Sequence, residues 1–99
     1  MRVAYSPRAV TQINGAFDRI AEDNPAAAKA FMARVESIVS LLAGHPGMGR
    51  ATSKADVQVI SLLPYRYLLF YKVLEERGEI RIVRFRHTSR RDAIDVRSL

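Results

Sequence analysis

Residues 81–92 read RIVRFRHTSRRD, an apolar strand pattern running into a group of arginines around one histidine. Guanidinium groups bind phosphate and carboxylate in bidentate fashion and keep their charge at every physiological pH, while imidazole can give or take a proton near neutrality. Strand alternation puts Arg84 and Arg86 on one face and His87, with Phe85, on the other. Arg66 lies on the preceding strand and Arg90 and Arg91 follow within a turn, so five guanidinium groups can gather at one end of a sheet. Such a cluster is an anion site that needs no metal.

Cleavage of RNA would require a base for the 2′-hydroxyl, cations for the crowded phosphate and an acid for the leaving oxygen. His87 with Arg66 and Arg84 can supply two of these three. No Tyr, Lys or second His follows His87 to supply the last. The set Arg84, Arg86, His87, Arg90 and Arg91 therefore reads as a docking patch, with a catalytic centre of His87, Arg66 and Arg84 as the alternative, and docking is the simpler. His45, between Gly44 and Pro46, reads as a surface turn residue. Tyr5, Tyr65, Tyr67 and Tyr71 suggest base stacking, but aromatics that alternate along a strand are more often core. Gly44, Gly47 and Gly49 follow a helix where a phosphate-cradling loop would precede one. With two distant histidines and no cysteine, neither a metal site nor a cofactor is expected.

The surroundings of this patch are basic throughout. Over 99 residues the formal charge is +6, and residues 77–99 hold seven arginines against Glu79, Asp92 and Asp95. Thirteen of the sixteen cations are Arg, which points to a polyanion or an acidic protein partner. The length suits one small domain, residues 1–99, able to bury about 60 to 65% of its unfolded surface. Absence of cysteine suits a reducing cytoplasm, and no leader or membrane-spanning run is evident in the sequence, so an intracellular soluble protein is expected.

The elements that must hold the patch follow from periodicity. Val3 and Tyr5 alternate with Arg2 and Ala4 up to Ser6-Pro7, an N-cap followed by a first-turn proline. Val10, Ile13, Phe17 and Ile20 then form one helical stripe, Asn24-Pro25 repeats the start signal, and Ala28, Phe31, Val35, Ile38 and Leu42 form a second stripe. Gly44 is the expected stop, with Pro46 preventing continuation. Residues 47–55 read as a surface loop, and three strand patterns follow at 57–62, 65–74 and 80–86, with turns at Pro64 and at Arg77-Gly78. Tyr65, Tyr67, Leu69, Tyr71 and Val73 share one face of the middle strand, and Arg66, Leu68, Phe70 and Lys72 share the other. The expected fold is α+β, β-α-α-β-β-β, with a helical hairpin packed through Phe17, Ile20, Phe31, Val35 and Ile38 on one face of a small, mostly antiparallel sheet. The other apolar face should stay open for a partner.

The order of SPRAV, IAEDNPAAAKAF, LLAGHPGMGR, SLLPYRYLLFYKV and RIVRFRHTSRRD resembles the ParE branch of the RelE/ParE superfamily of toxins. The resemblance implies a cytoplasmic, growth-inhibiting toxin of a type II toxin-antitoxin system. It implies a ParD-like antitoxin that neutralises the toxin and through which alone operator DNA is reached. ParE-like members inhibit DNA gyrase; RelE-like members cleave mRNA on the ribosome with basic residues and a terminal histidine or tyrosine. Arg66 and Arg84 fall where RelE-like enzymes hold phosphate-binding arginines, and His87 falls near their terminal acid or base. The terminal tyrosine is absent, and the 47–55 loop offers only Arg50 and Lys54. The EDNP turn and the ending with His87 and Arg90 look more like ParE, so gyrase is the expected target and ribosome-bound mRNA the alternative.

Overall fold

The computed structural model describes residues 1–88, so Arg90 and Arg91 lie outside the described residues. Strand β1 (Arg2–Tyr5) leads into helices α1 (Pro7–Asp23) and α2 (Pro25–Gly44), followed by β2 (Arg50–Ala51), β3 (Val57–Ser61), β4 (Tyr67–Leu74) and β5 (Glu79–His87). The strands form one sheet in the order β1-β5-β4-β3-β2. Strands β2 to β5 pair antiparallel, whereas β1 runs parallel to β5 with Arg2 opposite Glu79 and Tyr5 opposite Ile82. This is the expected helical hairpin on a mostly antiparallel sheet, with one addition. Within the expected loop, Arg50 and Ala51 pair with Val59 and Gln58. A strand of two residues has no alternation by which a sequence could announce it.

Both helix starts are made by the residues the sequence marks. Ser6 Oγ accepts from the Ala9 N–H at 3.1 Å, and Pro7 opens α1. Asn24 closes one helix and opens the next: its N–H donates to Ile20 O at 2.9 Å, and its Oδ1 accepts from the Ala27 N–H at 3.1 Å. With a single residue between them, the helices turn back on each other. Helix α2 buries the expected Ala28, Phe31, Val35, Ile38 and Leu42. Helix α1 keeps most of its expected stripe: Ile13 is buried beside Ala9 and Ala16, Phe17 and Ile20 pack against the core, and Val10 alone is 43% exposed. Because α1 packs against both α2 and β5, its closest contacts take alanines and leave larger side chains at the flanks. Helix α2 ends at Gly44 as expected, and His45 forms the cap, donating its N–H to Leu41 O at 2.8 Å.

On the helix side, Phe31 sits within 5.8 Å of the Tyr65, Tyr67 and Phe85 ring centroids. Val57, Val59, Leu68 and Phe70 cluster on the opposite face, with Val83 packed against them. That face was expected to be open, yet Leu68 and Phe70 are 3% and 0% exposed. Part of the reason is local: the Arg86 guanidinium stands 5.8 Å from the Phe70 ring centroid, its aliphatic stem covering apolar surface.

Strand β5 changes phase partway along. Phe70 pairs with Arg84 and Tyr71 with Ile82, which makes Val83 the extra residue of a bulge. Strict alternation would put Ile80 and Ile82 on the face of Arg84 and Arg86; the bulge lets Ile80, Ile82 and Phe85 all enter the helix-side core. Strand β1 ends at this point, and α1 takes over the exposed edge. Ser6 donates its N–H to Ile82 O at 2.9 Å and its hydroxyl to Val83 O at 3.2 Å, while Gln12 Oε1 accepts from the Phe85 N–H at 2.7 Å.

Two further contacts fix the sheet margins. Glu79, 5% exposed, accepts from Arg2 at 3.3 Å and from Arg81 at 2.9 Å. Burial pushes its carboxyl pKa up, but Arg81 and then Arg2 outweigh this and hold it below the ordinary value. The buried Tyr71 hydroxyl accepts from the Gly49 N–H at 2.9 Å and has Pro46 O at 2.9 Å and Gln58 Oε1 at 2.7 Å as acceptors for its one proton. A Cβ on Gly49 would lie 2.5 Å from that hydroxyl, so only glycine permits the approach. No helix among the described residues is long and apolar enough to cross a membrane.

Candidate functional site

Tyr67 of β4 pairs directly with His87 of β5, and the chain entering β4 carries Tyr65 and Arg66 beside them. The end of α1 and the helical turn bring Arg19, Ile20, Asp23 and Asn24 across from these residues, enclosing an open cleft of about 570 Å³. The His87 imidazole meets the Tyr67 ring edge-on at 5.0 Å, and Tyr67 in turn stacks on Phe85 at 4.9 Å. The Thr88 N–H donates to Arg66 O at 2.8 Å, tying the end of β5 to the entry of β4. Ring contacts therefore position His87, as expected opposite to Arg84 and Arg86. Among the described residues no carboxylate or carbonyl hydrogen-bonds its ring, so no neighbour fixes its tautomer.

Arg84 does not join this cleft. It lies on the opposite face with Arg8, Lys54, Val57, Lys72 and Val83, around a smaller cleft of about 150 Å³. Its Nε is buried and has no hydrogen-bond partner among the described residues. Burial first, and then repulsion from Arg8 and Arg86, lower its pKa below the ordinary guanidinium value. Arg86 lies over Phe70 and also borders a groove shared with Arg19 and His87. The predicted cluster is thus divided: Arg66 and His87 come together, Arg84 stands apart, and Arg90 and Arg91 lie outside the described residues.

Sequence reasoning missed Arg19, Arg8 and Lys72. Arg19 reaches the cleft because α1 ends over the β4 entry, and Arg8 because α1 begins beside the bulge; neither fact has a local signal. Among the described residues no three His, Cys, Asp or Glu side chains are grouped to hold a metal ion.

Solved toxin structures share this architecture. The chromosomal ParDE toxin-antitoxin system of P. aeruginosa aligns with a TM-score of 0.77 and 18% identity, covering 90% of this chain and 97% of that one. The intact E. coli RelBE complex aligns with a TM-score of 0.66 and 13% identity over 90% and 98% of the two chains. The isolated E. coli RelE toxin gives 0.66 and 13% over 90% and 85%. These likenesses define the class by fold, a RelE/ParE-type α+β domain. The family profile described as "ParE toxin of type II toxin-antitoxin system, parDE" matches residues 3–92, and the chain belongs to that family. No curated protein sequence matches it.

Proposed function

We propose that this ParE-family toxin acts by docking on DNA gyrase and is neutralised by a cognate, ParD-like antitoxin. The observation that supports docking over RNA cleavage is the separation of the candidate catalytic residues. Arg66 and His87 line one cleft, and Arg84 lines another on the opposite face. General acid–base chemistry needs its groups within hydrogen-bond reach of one reacting centre. A docking surface has no such requirement. In this reading His87, Arg86, Arg90 and Arg91 contribute charge and contact to a target interface at the end of β5.

An antitoxin suits the surface as well as the family. The chain carries +6, so an acidic partner is steered to it. Tyr5 and Val10, 40% and 43% exposed, flank a groove with Ile13, Met32 and Val35 that an amphipathic segment can fill.

A second reading, ribosome-dependent mRNA cleavage, is favoured by one observation: Arg19, Arg66, Tyr65, Tyr67 and His87 do share a single open cleft. Gyrase supercoiling and mRNA cleavage on ribosomes, measured with the same purified chain, separate the two. Docking predicts inhibited supercoiling that weakens only modestly in His87→Ala, which removes one contact, and is lost in the Arg90→Glu/Arg91→Glu variant. Cleavage of mRNA that falls by roughly 10²- to 10⁴-fold in His87→Ala, with supercoiling undisturbed, would instead establish the nuclease.

A further inference from the structure

Strand β5 outruns its neighbour on one side. Strand β1 pairs with residues 79–82 only, while β5 continues along β4 as far as His87. The Thr88 N–H points inward to Arg66 O, and Leu62 donates to Tyr67 O from the β3 side, so alternation turns the backbone groups of Phe85 and His87 away from β4. Gln12 Oε1 takes the Phe85 N–H, standing in for a neighbouring strand. Among the described residues nothing bonds the Phe85 carbonyl or the His87 N–H. An unpaired edge of this kind is a template for another extended chain. Beside it runs a groove of about 360 Å³, with Thr11, Gln12, Gly15 and Arg19 of α1 on one wall and Arg86 and His87 on the other. Glycine is a weak helix former in mid-helix, and a Cβ on Gly15 would meet nothing within 4 Å, so packing does not demand it. The space it leaves belongs to the groove, whose lining carries three basic side chains and no carboxylate.

We infer that the β5 edge from Phe85 to His87 receives an extended, acidic segment of the toxin's protein target, added as a short strand beside β5. The inference rests on the gyrase reading, to which it adds the mode of docking. One residue of a segment running parallel to β5, as β1 does, would accept from the His87 N–H and donate to Phe85 O, leaving the Gln12 bond in place. Carboxylates flanking that residue meet Arg19 and Arg86 across the groove. A second copy of this chain would bring the same cations face to face, which opposes self-pairing. Continuity favours the target over the antitoxin. The edge runs into the His87 end of the proposed target interface, whereas the groove of Tyr5, Val10 and Met32 that suits an amphipathic antitoxin segment lies on the α2 side of α1.

Inhibition of gyrase supercoiling by the purified full-length chain and its variants tests the edge. His87→Ala keeps the backbone N–H, whereas His87→Pro removes it, and an edge strand tolerates proline where the N–H makes no ladder bond. For equal inhibition His87→Pro should therefore require about tenfold more protein than His87→Ala. Gly15→Met fills the groove without a clash and favours the helix, so it should keep the wild-type melting temperature while weakening inhibition by about tenfold. Lys29→Met, on the exposed side of α2, leaves inhibition unchanged. Should His87→Pro melt below the other variants, the Gly15→Met comparison decides alone. Full inhibition by Gly15→Met, or equal inhibition by a folded His87→Pro and by His87→Ala, would overturn strand addition and leave the gyrase reading standing. A wild-type chain that leaves supercoiling undisturbed would remove that reading and the inference with it. Self-association of the wild-type chain that Gly15→Met abolishes would assign the edge to a second copy and likewise overturn the proposal.

Discussion

The two faces of the sheet both centre on aromatic side chains and are closed in different ways. On one face Tyr67 and Phe85 lie under two helices, and Phe31 completes a neutral, interlocked set of rings. On the other, Phe70 lies beneath the Arg86 side chain, with Lys72 and Arg84 at the border. A neutral cover fixes shape and little else. A cover that includes guanidinium groups makes apolar packing and anion chemistry depend on the same side chains, so charge changes there affect both.

The contrast can be broken most directly at the rings. Phe31→Ala should cost about 3 to 5 kcal/mol, as removal of a fully enclosed aromatic does, measured by urea unfolding. A wild-type unfolding midpoint would remove Phe31 from the core. Phe70→Ala should cost about 3 kcal/mol, at the lower end of that range, because the flexible Arg86 and neighbouring Val83 can close over part of the space. An equal or larger loss than for Phe31→Ala would mean that the two covers are equally rigid.

A smaller effect belongs to the Tyr71 hydroxyl. Gly49→Ala should cost about 1 to 3 kcal/mol, because its Cβ displaces the hydroxyl and leaves buried groups unpaired. Tyr71→Phe removes the nearest obstructing atom but keeps the ring carbon 2.8 Å from that Cβ, so the double variant should lose somewhat less than the sum of the two single changes. Strict additivity would show that the close approach does not hold the loop. The smallest effect concerns acid. Because the Glu79 pKa is lowered in the folded state, its stabilising contribution is complete above the ordinary carboxylate pKa and is lost as pH falls through the lowered value. Glu79→Gln should therefore flatten the acid limb of melting temperature against pH, and parallel curves for the two proteins would refute the clamp.

Large apolar side chains at regular spacing were readable in the sequence. The α2 seam, the Asn24 turn and the two faces of β4 all follow from it. In helix α1 Ile13, Phe17 and Ile20 follow the stripe, but its closest packing includes Ala9 and Ala16, and alanine barely registers in an apolar stripe. Nothing in the residue types near Val83 announces a bulge, since its cause is remote: β1 ends, and Ser6 and Gln12 capture the freed backbone. Of the candidate site, alternation already placed Arg84 and His87 on opposite faces. Gathering them into one cluster ignored that division, and Arg8, Arg19 and Lys72 could be added only by knowing where α1 begins and ends over the sheet.

The parallel pairing of β1 with β5 also bears on how the protein comes into being. Strand β1 is synthesised before the other strands, yet its partner among the described residues lies 77 residues later, and β5 must fit between it and β4. During translation the helical hairpin can form early from local contacts, whereas β1 and β4 remain unjoined until β5 leaves the ribosome. A chain interrupted before residue 79 has no β5 to join the two parts, so this sheet can be completed only after residues 79–87 have been made.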